Sequence, residues 1–140
     1  MIAKYRGKRI DNNEWVYGVP VETQKRCWIV SSPGTSFCDG DLMLYYVEVD
    51  HETVGQWTGL QDKNGIDIYE GDIVQDEKGF GIVKWLPCNC AFAVLDLTSL
   101  ATNKPIEEQN FYKLNCDSTM ILKKTIVIGN IHDNKELVKP

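Results

Sequence analysis

The chain has 140 residues, 43% hydrophobic and 25% charged, a globular composition rather than a disordered one. At that length folding buries roughly two-thirds of the unfolded chain's surface, so one domain or two small lobes form without staples. Fifteen Lys and Arg against twenty Asp and Glu leave a net charge of −5, which disfavours a general coat on DNA, where cations must displace counterions from phosphates.

The charge is unevenly placed. Lys4, Arg6, Lys8 and Arg9 make the start basic, whereas the stretch from His51 to Trp85 holds three lysines against seven acids. The basic arm reads as a solvated edge strand blunted by cations, with a local contact to nucleic acid as the other reading. The start, Met1-Ile-Ala-Lys-Tyr-Arg6, has no apolar h-region, and no apolar run approaches the roughly 20 residues that cross a bilayer. A cytoplasmic, reducing setting is therefore expected, with Cys27, Cys38, Cys88, Cys90 and Cys116 as free thiols.

Along the chain the dominant period is two. Trp15, Tyr17, Val19 and Val21 fall on one face of a strand and Val16, Gly18 and Pro20 on the other, with Pro20 placing that strand at an edge. After the hairpin-length Glu22–Lys25, Arg26–Ser31 is apolar on both faces and predicts a buried strand. Ser31–Asp41 is a loop by composition. Leu42–Val49 and Thr53–Thr58 are predicted strands around the turn Asp50–Glu52. Asn64-Gly65 suits a type I′ turn between Leu60 and Ile68. Asp72–Gln75 and Phe80–Leu86 flank a tight turn at Glu77–Gly79, and Pro87–Cys90 leads to Ala91–Leu97. Thr98–Leu114 is predicted partly helical around Pro105–Asn110, and Thr125–Ile131 is the last strand. About nine short strands at close spacing indicate a mainly β fold. The composition shift at Asp62–Gly71 suggests a boundary between a β-rich part, residues 1–61, and a lobe of residues 62–140.

Few constellations carry chemistry. The acids Asp62, Asp67, Glu70 and Asp72 invite a calcium loop, but counting from Asp62 puts Asp67 where Gly belongs and Ile73 where a bidentate Glu belongs. Cys88 and Cys90 lack the Cys-x-x-Cys spacing and a second pair for zinc. No metal or cofactor is expected. His51 lies in a polar turn and His132 follows the last strand, with no nucleophile elbow to join either to a Cys or Ser. Gly79-Phe-Gly81 has neither a third glycine nor a following helix, so it is no phosphate loop. The aromatics Trp15, Tyr17, Trp28, Tyr45, Tyr46, Trp57, Tyr69, Phe80 and Trp85 lie on or beside strands. They read as core aromatics and not as a base-stacking surface, because their sequence neighbours include Glu14, Glu48, Glu70 and Asp72 rather than Lys and Arg.

Val54-Gly-Gln-Trp-Thr-Gly-Leu-Gln-Asp-Lys-Asn-Gly65 and Ile68-Tyr-Glu-Gly-Asp-Ile-Val74 closely resemble the YopX family of phage and prophage proteins. The opening Tyr5–Asn12 with Glu14–Gly18 and the closing Val127–Asn134 with Glu136-Leu137 agree, although Lys135 stands where the family pattern has proline. The resemblance implies a small intracellular protein of mainly β fold, with an N-terminal α+β part, a C-terminal SH3-like barrel lobe and a tendency to self-associate. It supplies no catalytic residues.

The motif itself reads as architecture. Gly55, Gly59, Gly65 and Gly71 sit where a chain turns or approaches another backbone, and Asp62 and Asp72 can cap turns through their side chains. Alternatively, Trp57, Asp62, Lys63, Tyr69, Glu70 and Asp72 form a partner-binding surface. The leading functional reading is a non-enzymatic module that binds a phage or host protein, or itself, through a sheet face or an edge carrying Pro20 and Val21. The second is a nucleic-acid binder using the arm Lys4, Arg6, Lys8 and Arg9. The third, an enzyme, needs a concave pocket that joins a Cys or Asp to His51 or His132.

Overall fold

The computed structural model describes residues 4–31, 37–38, 41–42, 45–76, 79–87, 90–96, 111–113 and 125–137. The expected helix around Pro105–Asn110 lies outside them, as does Cys88. Two compact units divide between Trp57 and Thr58. Both are built from antiparallel strands, so the fold is mainly β.

The first unit contains β1 (Tyr5–Lys8), β2 (Trp15–Glu22), β3 (Cys27–Ser31), β4 (Phe37–Cys38), β5 (Asp41–Leu42), β6 (Tyr45–Val49) and the start of β7 (Gly55–Gln61). Its sheet runs β6-β3-β2-β1-β7. The order is set by residues that pack where backbones come close. Gly18 of β2 lies against the Val30 carbonyl of β3 with no room for a Cβ, and Gly7 of β1 faces the side chain of Val49. At one end β6 returns to the end of β1. Arg9 and Val49 form an antiparallel bridge, Ile10 N donates to Glu48 O at 3.3 Å, and Asp50 N donates to Lys8 O at 2.8 Å. The sheet therefore curls around a small core of Cys27, Ile29 and Val49, flanked by Tyr5, Val16 and Val54. A 3-10 turn, His51–Thr53, is capped by Asp50, whose side chain accepts from Glu52 N. Thr53 Oγ1 then accepts from Lys8 N at 2.8 Å.

Several expectations for this unit are corrected. β2 is an interior strand: its first half pairs with β1 from Trp15 to Gly18, its second with β3 from Val19 to Glu22. Pro20 is tolerated because it lies past the described pairing with β1, where a missing N–H breaks no ladder bond on that side. The edge carrying Pro20 and Val21 therefore does not exist, since both residues face β3 partners. Nor is Ser31–Asp41 wholly loop, because Phe37–Cys38 pairs with Asp41–Leu42.

The second unit takes the rest of β7, with β8 (Asp67–Tyr69), β9 (Asp72–Asp76), β10 (Gly79–Leu86), β11 (Ala91–Asp96), β12 (Phe111–Lys113) and β13 (Ile126–Asn130). Its larger sheet runs β12-β11-β10-β9-β13. Phe111–Lys113, expected to be partly helical, is thus a strand, held by pairing to Ala93–Leu95. The core gathers Ile68, Val74, Val83 and Val94, with Leu60, Phe92 and Val127 against it. The β7–β8 turn is not type I′, which needs positive φ at both central residues. Gly65 has φ +79° but Asn64 is not in that region; Gly65 N donates to Asp62 O, and Asp62 N to Ile66 O. This is the three-residue loop in which a turn closes on a glycine of positive φ.

Candidate interaction surface

The six residues singled out in the central motif are placed mainly as framework. Asp62 is buried, with Oδ1 accepting from Asn64 N at 2.8 Å and Ile66 N at 2.9 Å, and Oδ2 from Val127 N at 3.0 Å. Asp72 is 1% exposed and accepts from Tyr69 N at 2.8 Å, and Tyr69 is itself buried. The carboxylates are drawn inward because turn amides need acceptors, so Asp62, Tyr69 and Asp72 present no surface. Glu70 is half-buried, and that desolvation pushes its carboxyl pKa up against the Trp85 amide and Lys84, which lower it. Lys63 alone of the six is exposed, and Trp57 is half-buried with Lys4 Nζ 4.5 Å from its ring centre.

The basic arm is also re-read. β1 is not an edge strand; it lies between β2 and β7. Its alternate residues meet tryptophans: Arg6 stands 4.5 Å over Trp15, and Lys8 lies 5.6 Å from the same ring. Arg9 instead grips Asp11 through two bonds, 2.9 and 2.7 Å, which lower the Asp11 pKa and raise that of Arg9.

The register collects these residues on one face. Gly55, Arg6 and Tyr17 sit opposite one another across β7, β1 and β2, with Lys8 opposite Trp15. Val19, Val30 and Tyr46 form a row across β2, β3 and β6; Val21, Trp28 and Glu48 form the next. On that face Tyr17 is 50% exposed, Val19 54%, Val21 50% and Tyr46 74%. Arg26 lies 5.1 Å over Trp28 and holds Glu48 through bonds of 2.9 and 2.6 Å. Aromatics read from sequence as core residues beside acids therefore stand in part in solvent, beside cations. The signal was the basic stripe at Lys4, Arg6 and Lys8, which a period of two puts on one side.

The same unit has a cavity of about 420 Å3 whose lining includes Lys25, Arg26, Cys27, Asp50 and His51. Cys27 is 1% exposed, its Sγ donates to Trp28 O at 3.9 Å, and burial, with Glu22 adding repulsion, raises its thiol pKa. His51 Nε2 engages Glu22 Oε2 at 2.7 Å in the open. No bond among the described residues joins the two, and a raised pKa is the opposite of what a nucleophilic thiol needs. His132 is half-buried, its backbone N–H held by Asn130 Oδ1. Among the described residues no three His, Cys, Asp or Glu side chains gather as a metal site. Nor is any described helix long and apolar enough to cross a membrane.

Comparison with known proteins gives a family and a fold. No curated protein matches the sequence. The chain is similar to the crystal structure of protein EF1440 from Enterococcus faecalis, at 21% identity, over 99% of each chain, with a TM-score of 0.53. A family model described as YopX protein matches residues 4–139. The chain belongs to the YopX family.

Proposed function

We propose that this YopX-family protein is a non-enzymatic, cytoplasmic module of phage or prophage descent that binds another macromolecule through the outer sheet face of its first unit. The observation that carries this reading is the exposure of Tyr17, Val19, Val21 and Tyr46 side by side on one antiparallel face. Each is at least half exposed, although burying a Val or Tyr from water is worth roughly 1.5–3 kcal/mol. A contiguous apolar patch on a small protein marks a contact surface, and Tyr, Trp and Arg are the side chains enriched at its centre. Two features weigh against catalysis: the inactive state of the Cys27 thiol, and the engagement of His51 by Glu22. The C-terminal lobe keeps its SH3-like reading as part of this proposal.

The test does not presuppose a partner. A photo-crosslinking side chain is placed at Tyr46, and as a control at Phe80 of the second unit, which is 44% exposed. Irradiation of expressing cells is expected to give a discrete adduct, protein or nucleic acid, from position 46 and none from position 80. Equal or absent adducts at the two positions would remove the reading.

A further inference from the structure

Resting on that reading, we infer that the occupant of the outer face is single-stranded nucleic acid. The face carries Lys4, Arg6, Lys8 and Arg26 against one described carboxylate, Glu48, which Arg26 already spans. A chain of net charge −5 thus keeps a local cationic surplus where its aromatics are. That is the pairing single-strand sites use: cations follow the phosphates while bases stack on rings. Protein interfaces differ, since lysine is depleted at their centres, whereas here Lys4 and Lys8 lie against indole rings.

The rings divide into two kinds. Trp15, Trp28 and Trp57 each have a cation over the ring, which fixes the cations in place. Tyr17 and Tyr46 turn half or more of their surface to water. They are two strands apart and two residues out of step, a separation of roughly 11–12 Å from the usual strand spacing and rise. Bases splayed from a single strand stack on such rings, and every base has a face to offer, so little sequence preference follows. A duplex keeps its bases inside and gains only the phosphate contacts. The sugar plays no part in the scheme.

The experiment is fluorescence anisotropy with labelled oligothymidine, oligouridine and a duplex of equal length, using the full chain at low and at raised salt. Both single strands are expected to bind better than the duplex, with a logarithmic salt slope of about −2 if three phosphates are neutralised. Tyr46→Ala and Tyr17→Ala are each expected to weaken binding about tenfold. Lys8→Gln should reduce the slope by about 0.7, while Phe80→Ala should change nothing. Melting curves establish that each variant is folded, and Lys8→Gln, a change on the solvated side chain, serves if a tyrosine variant is not. Equal binding of duplex and single strand, or unaltered affinity in folded Tyr46→Ala and Tyr17→Ala chains, would overturn the inference. Absence of nucleic-acid binding with a protein adduct at position 46 would overturn it too, yet leave the face as a contact surface.

Discussion

Asp62 shows how much a single side chain can organise. Its carboxylate accepts three backbone amides, two in its own turn and one from Val127, 65 positions away, while the residue is 7% exposed. Charge-assisted bonds to amides are the stronger kind, and a buried donor left without an acceptor costs about 1–3 kcal/mol. Asp62→Ala is therefore expected to lower stability by about 3 kcal/mol in a urea titration, and Asp62→Asn by less, since its amide retains one acceptor. An unchanged midpoint in the alanine variant would show the contacts to be incidental. The capping role was legible, because Asp before Asn-Gly is a turn signal. The tie to Val127 was not: nothing local in the sequence points across 65 residues.

Glu70 is a second residue whose environment decides its chemistry. Burial raises its pKa in the folded chain, so the protonated form is favoured there relative to the unfolded chain. The contribution to stability is then full below the ordinary glutamate value and is lost as pH rises through the raised one. Glu70→Gln, which keeps an acceptor for the Trp85 amide, should be more stable than the parent at neutral pH. That gain should fade on acidification below the usual glutamate range. Paired urea titrations across this window check it, and a gain that persists undiminished at acid pH would refute the assignment.

Among the elements, β2 explains why periodicity carried the reading only part of the way. A period of two correctly separated Trp15, Tyr17, Val19 and Val21 from Val16, Gly18 and Pro20. It could not tell which set faces the core, and the bulkier set is the exposed one. The inward set is small because β3 comes close there. The place of β1 was likewise hidden: a row of cations reads as a solvated edge until the tryptophans that cover them are known. Gly18→Ala tests the close approach. Its new methyl would overlap the Val30 carbonyl, a backbone atom that cannot move without parting β2 from β3. A loss of about 3 kcal/mol is expected. Gly65→Ala instead meets nothing nearby and is strained only by its φ of +79°, at roughly 1–2 kcal/mol. Equal losses at the two positions would mean that crowding at Gly18 is not what holds the strands in register.

At the scale of the molecule, the mainly β class followed from short apolar runs between turn residues, and the family from the central glycine-rich motif. What stayed out of reach was the partition into two units with separate cores, because it depends on which strands pair and not on their composition. Cys27 makes the first of those cores measurable. It is 1% exposed, it packs with Ile29 and Val49, and burial holds its thiol pKa above the ordinary value, so little thiolate forms at neutral pH. Cys90, in contrast, is exposed. In a chain carrying Cys38→Ser, Cys88→Ser and Cys116→Ser, a thiol reagent should label Cys90 at once and Cys27 orders of magnitude more slowly. Its rate should then rise with denaturant in step with opening of the first unit, since a thiol inside a packed core reacts only through opened states. Prompt labelling of Cys27 in native buffer would mean that this core is already open to water. The curled sheet could not then hold Tyr17 and Tyr46 at a fixed spacing on its outer face.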